Sequence, residues 1–175
     1  MRGEQGTKGR GEVKLLAICL LGLLGAAVSG SAKDPAQNTD EQKAATVIKE
    51  FRSRLGIPQQ VSVSIIGANA RLVSVRRSQP QAENFVVEFD RNFLTTLNDE
   101  ELRTVIAHEM GHVWIFTHHP YLQTEALANE KALELVSWDS LEKVYEKVWQ
   151  HEGQKGTLEE FLARVEMSPQ SPSAR

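Results

Sequence analysis

His108-Glu109-Met110-Gly111-His112 sets two imidazoles four residues apart, with a carboxylate beside the first. On an α-helix, residues four apart project within about 40° of each other, so both histidines can address one ion from adjacent turns. Glu109 is offset by roughly 100° and points past that position. It can instead reach a water bound to the ion and take its proton. Two neutral nitrogens, an open coordination position and a nearby carboxylate make a hydrolytic zinc site, with one Zn2+ per chain.

The flanking residues supply the helix that this chemistry needs. Asn98 reads as an N-cap and Glu101 as its capping-box partner, with Leu97 and Leu102 spaced as a hydrophobic staple. Leu102, Val105, Ile106, Val113 and Phe116 form an apolar stripe at helical spacing, and Glu109 falls inside it. A carboxylate among apolar side chains is costly unless compensated, and its pKa rises toward that of a useful general base. The alternative, a surface helix with a coincidental histidine pair, leaves this placement unexplained.

A catalytic zinc ordinarily has a third protein ligand. Pro120 disfavours helix at His119, and a second helix begins near Thr124 and extends to about Val136. Its first-turn carboxylate, Glu125, can face back toward the two histidines. His118 is the rival, at the spacing H-E-x-x-H-x-x-G-x-x-H; that pattern reverses the chain through a glycine, where this sequence has Ile115, and no Met-turn follows. Glu125 is therefore favoured over His118. Glu130 and Glu134 read as a solvated face.

The paired segments His108–His112 and Glu125–Ala132, with the lead-in Leu97–Leu102, resemble the gluzincin metallopeptidases. The resemblance is closest to the CAAX-prenyl-protease-like and minimal single-domain members. It implies zinc held by two His and one Glu, and a second helix of pattern E-x-x-A-D-x-x-A. Glu125, Ala128 and Ala132 match that pattern. Asn129 stands where the family has an Asp that orients a metal-binding histidine; its carbonyl can still accept from an imidazole N–H, without charge. The family also implies a downstream group for the oxyanion, for which Tyr121, His119, Tyr145 and His151 are candidates. Trp114, Trp138 and Trp149 read as packing residues.

The remaining chain supplies a scaffold. Arg2, Lys8, Arg10 and Lys14 precede an apolar run, Leu15 to Val28, and a small-residue zone, so residues 1–32 read as a secretory signal peptide. The expectation is a secreted or periplasmic, envelope-facing protein, membrane-anchored if that segment stays uncleaved. Cys19, the single cysteine, lies in the apolar run, so a Cys-type structural zinc site is excluded from the remainder. The net charge is −3 and no basic stripe is present, which argues against nucleic acid.

Residues 33–38 read as a linker, 39–167 as one zincin-like domain, and 168–175 as a disordered tail. The expected fold class is α+β. A helix from Thr39 to Leu55 precedes three strands near 61–65, 72–77 and 84–90, joined as a small, mostly antiparallel meander. The metal helix follows, then helices capped near Asp139 or Ser140 and at Thr157. The activity these expectations describe is metal-assisted hydrolysis of a peptide or protein substrate, with Glu109 as base. The alternative is a metal-retaining binding or scaffold module with little turnover.

Overall fold

The computed structural model describes residues 35–79, 83–153 and 156–164. The expected signal peptide and tail lie outside these residues. In chain order the elements are α1 (Pro35–Arg54), β1 (Val61–Ile66), β2 (Val73–Arg77), β3 (Phe85–Asp90), α2 (Arg91–Leu94), α3 (Asp99–His118), α4 (Glu125–Ala132), α5 (Trp138–His151) and α6 (Leu158–Arg164). No described helix is long and apolar enough to cross a membrane.

Helix α1 starts four residues before the expected Thr39, inside the segment read as a linker. Proline is tolerated at a helix start because its missing N–H has no intrahelical partner there. The helix ends as the sequence suggested: Gly56 takes φ 65°, and Ile57 N–H reaches back to the Arg52 carbonyl at 3.0 Å. Ala44, Val47, Ile48, Phe51 and Leu55 form its buried face, which packs on β1 and α3.

The sheet is mixed and is not a meander. Its order is β1-β3-β2, with β1 parallel and β2 antiparallel to β3. The most buried strand, β3, takes the centre; Phe85, Val86, Val87 and Phe89 are all buried. Residues 67–72 cross over the end of β3 to put β2 on the far edge. Two polar side chains hold that crossing. The Asn69 amide N–H donates to Asp90 Oδ2 at 3.0 Å, and Asn69 Nδ2 donates to the Glu88 carbonyl and to Ser74 Oγ, each at 3.0 Å. Asp90 Oδ1 also accepts from Phe93 N–H at 2.9 Å, capping α2. That bond, burial notwithstanding, and the one from Asn69 hold the Asp90 carboxyl below the usual range. Short connections alone favour a hairpin, so a reading of lengths misses this tie.

Helix α3 has the expected capping box: Asn98 Oδ1 accepts from Glu101 N–H at 2.9 Å, and Glu101 Oε2 from Asn98 N–H at 2.8 Å. It runs through the core for 20 residues, with Ile106, Ala107, Met110, Gly111 and Val113 buried. Its last turn closes at His119, ahead of Pro120. Helix α4 is shorter than expected and ends at Ala132. Helix α5 is capped by Ser137, two residues before the earliest expected cap, and buries Leu141, Val144, Tyr145 and Val148. Thr157 and Glu160 form the expected capping box of α6. The three tryptophans pack half-buried against the core.

Candidate metal centre

Helices α3 and α4 bring His108, His112 and Glu125 together. Nε2 of His108 lies 3.1 Å from Nε2 of His112 and 3.2 Å from Glu125 Oε2; His112 Nε2 lies 3.6 Å from Glu125 Oε1. Three atoms bonded to one zinc at about 2.0–2.1 Å with tetrahedral angles stand about 3.3 Å apart. The triangle thus has the dimensions of a metal's ligand set. All three residues are buried, and neither Glu125 oxygen has a hydrogen bond of good geometry. A buried carboxylate left so is costly, and a cation at the centre of the triangle satisfies it. The donor set therefore fits a divalent ion, and could hold one.

Gly111 makes this approach possible. A Cβ there would collide with the backbone carbonyl of Ala128 on α4. Glu125 sits one turn before Ala128, so the contact sets how near its carboxylate comes to the histidines. A glycine inside a helix costs about 1 kcal/mol relative to alanine, and within the H-E-x-x-H segment that cost was the available sequence signal.

The far side of His108 is fixed as well. Asn129 Oδ1 can only accept, so His108 Nδ1–H donates to it, at 2.9 Å. That bond leaves Nε2 as the metal-facing nitrogen. Tyr145, on α5, donates its hydroxyl to the same Oδ1 at 3.0 Å and lies 3.4 Å from His108 Nδ1. Burial first, and then the charge of Glu125, push its phenol pKa far up, so it stays a donor. Of the four candidates for the oxyanion, Tyr145 is the one in contact with the histidines, but on the Nδ1 side. Tyr121 is 97% exposed, and His119 and His151 are exposed against Trp114 and Phe93.

His118 does not join the site. It is exposed in the last turn of α3, stacked on Trp114 with ring centroids 4.4 Å apart, and its Nδ1–H donates to the Trp114 carbonyl at 2.9 Å. Glu130 and Glu134 are exposed, the latter paired with Lys131 at 2.7 Å. Glu109 is 4% exposed. Burial raises its pKa; the adjacent histidines draw it part-way back, and Glu125 and Arg71 contribute in opposite senses. Arg71, which no motif or spacing singled out, lines a cavity of about 30 Å³ with Glu109 and His108.

Comparison with known proteins sets part of this chain beside a peptidase family. Residues 81–153 match the model of Peptidase family M48. That segment runs from the approach to β3 through α5, and so contains both site helices. M48 peptidases are metal-dependent, and the match supports a zincin-type metallopeptidase, a hydrolase. Over 109 residues the chain is 28% identical to the uncharacterized protein aq_aa15 of Aquifex aeolicus (strain VF5), spanning 62% of this chain and 90% of that protein. Among solved structures, the metallopeptidase zymogen of Pyrococcus abyssi abylysin aligns with a TM-score of 0.47 and 13% identity, over 65% of this chain and 98% of that one.

Two expectations follow from the geometry. Gly111→Ala gains helix propensity, yet should destabilise the protein by about 1–3 kcal/mol through overpacking. It should also weaken metal binding by roughly tenfold or more as Glu125 is displaced. Thermal unfolding and metal titration read the two effects; unchanged affinity would mean that the Gly111–Ala128 contact does not set the site.

The second concerns pH. Burial disfavours a charged His108, but Glu125, Glu109 and Asn129 outweigh it and raise its pKa. Glu125 is held down to about 2: burial opposes its charge, and the two histidines more than offset that. Below the raised His108 pKa the metal-free pair is thus imidazolium and carboxylate, and there a metal must displace the proton. Affinity should fall as pH drops below the raised His108 pKa, by about tenfold per unit for each proton displaced, and level off above it. Calorimetric titration in buffers of different protonation enthalpy checks the accompanying proton release.

Proposed function

We propose that the chain is a zinc-dependent metalloendopeptidase, with His108, His112 and Glu125 as ligands of a single Zn2+ and Glu109 as general base. The observation that carries this reading is the buried triangle of ligand atoms, with a raised-pKa carboxylate on the next residue of the same helix. A structural site has no use for such a base. The match to a peptidase family over the same helices points the same way. The likeness to the CAAX-prenyl-protease-like and minimal single-domain gluzincins rests more narrowly, on Glu125, Ala128 and Ala132.

The ion, when bound, supplies Lewis-acid polarisation of a peptide carbonyl and a lowered pKa for a water. The residues do the rest. Asn129, backed by Tyr145, fixes the His108 ring, so Nε2 faces the ligand triangle. Gly111 lets Glu125 close the set. Glu109, buried and with its pKa raised, accepts the proton of the attacking water and hands it to the leaving amine. The substrate class is peptide or protein. We place the protein in the secretory or envelope-facing compartment on the strength of residues 1–32, anchored to the membrane if they stay attached, with 168–175 as a tail beyond the domain.

A second reading, a metal-retaining binding module, draws on the neutral Asn129 and on the position of Tyr145 away from the metal-facing edge. Turnover of an unfolded protein substrate separates the two. Wild type and Glu109→Gln should both bind about one zinc. The variant should lose cleavage by roughly a hundredfold or more, within the range of general-base contributions. Zinc in both with cleavage in neither would favour the binding module, and zinc in neither would end both readings.

A further inference from the structure

Arg71 is a half-buried cation whose charge acts on Glu109 and whose backbone adjoins a strained residue, Leu72. Among the described residues, the other half-buried cations Arg52, Arg103, Lys131 and Lys147 each have a side-chain acceptor: Gln60, Glu50, Glu134 and Glu101. The Arg71 guanidinium has neither a hydrogen bond nor an ion pair among the described residues, although Glu109 lines the same cavity. That cavity lies between the 67–72 crossing, α3 and α5, and its wall is mostly apolar, with Phe93, Val105 and Leu141.

The chain around Arg71 is tightly specified. Its N–H donates to Asn69 Oδ1 at 3.0 Å, and its carbonyl accepts from Val73 N–H at 2.7 Å. Leu72 is the one described non-glycine residue with positive φ, at 63°. Its N–H donates to the Asn69 carbonyl at 2.9 Å, and its own carbonyl accepts from Asp90 N–H at 2.6 Å. A leucine in the left-handed region persists where surrounding bonds over-determine it, and such strain concentrates at ligand-binding positions.

The charges say what the cation is for. A divalent ion on the triangle is balanced by Glu109 and Glu125, and Asn129 adds no negative charge. Arg71 then leaves the site positive. An arginine fork with free donors beside an apolar pocket matches a carboxylate, which it can bind through two charge-assisted hydrogen bonds.

We propose that Arg71 anchors a carboxylate of the bound peptide, either an acidic side chain near the scissile bond or the free C-terminus, while the apolar cavity takes part of a neighbouring side chain. The proposal rests on the reading that this site takes peptide chains. It makes Arg71 a specificity-determining residue, since it selects which peptide is held. No bond is made or broken at it.

The test measures binding apart from turnover. The zinc-loaded full chain carrying Glu109→Gln is titrated with labelled hexapeptides that differ by Glu or Gln at each position, and by a free or amidated C-terminus. At least one carboxylate-bearing peptide should bind about tenfold or more tightly than its neutral match. Adding Arg71→Gln should bring the pair within about twofold, and Arg71→Glu should turn the preference toward a Lys-bearing peptide. An unchanged thermal midpoint verifies that the variants fold. The position of the effective carboxylate tells side chain from terminus. A parent protein with no preference, or a preference that survives Arg71→Gln, overturns the proposal. If the preference depends on Arg71 but wild type hydrolyses none of the peptides, the anchor stands and the peptidase reading falls.

Discussion

The whole site depends on how closely α4 can lie against α3. The helices meet where Gly111 faces the Ala128 carbonyl, with no room for a Cβ between them. Two histidines on one helix face offer a metal two nitrogens; a third donor must come from elsewhere in the chain. The close approach supplies it, carrying Glu125 to within 3.2 Å of His108 Nε2 and 3.6 Å of His112 Nε2. Adjacent helices usually stand 8–10 Å apart, according to the side chains between them, and the smallest residues allow the closest packing.

A second constraint follows from burial. His108, Glu109, His112, Glu125 and Asn129 are all buried polar residues at the centre of the domain. Such groups are tolerated when each is answered by a partner. The chain answers the outer edge of His108 through Asn129 and Tyr145, and leaves both Glu125 oxygens on the inner side without a hydrogen bond, where a cation could satisfy them. The same low-dielectric surroundings that make these groups costly keep the Glu109 proton affinity high. One environment thus both favours a cation at the triangle and raises the proton affinity of the carboxylate beside it.

Much of this was legible in the residues, because the strongest signals were local. Helical spacing and the capping box around Asn98 located α3 within a residue, and the alternation Phe85-Val87-Phe89 located β3. The pairing of His108 with His112 was legible because a four-residue spacing on a helix fixes geometry without reference to the rest of the fold. The sheet order was not. The crossing is tied by the Asn69 backbone N–H and the Asp90 carboxylate, 21 residues apart, whereas connection lengths pointed to a meander. The same holds for Tyr145, whose partner comes from another helix, and for Arg71, which lines the cavity of Glu109 and His108 from the 67–72 crossing. Neither contact leaves a trace in periodicity. Gly111 was visible as an odd residue for a helix interior, but its reason lies across the interface in Ala128.

The central claim is that one metal ion is held by two nitrogens of α3 and one carboxylate of α4. The most direct test is a crystal of the zinc-soaked protein, measured on both sides of the zinc absorption edge. The account requires a single strong anomalous peak inside the domain, about 2.0–2.2 Å from His108 Nε2, His112 Nε2 and a Glu125 oxygen. A peak ligated by His118 in place of Glu125, or no peak between α3 and α4, would contradict it.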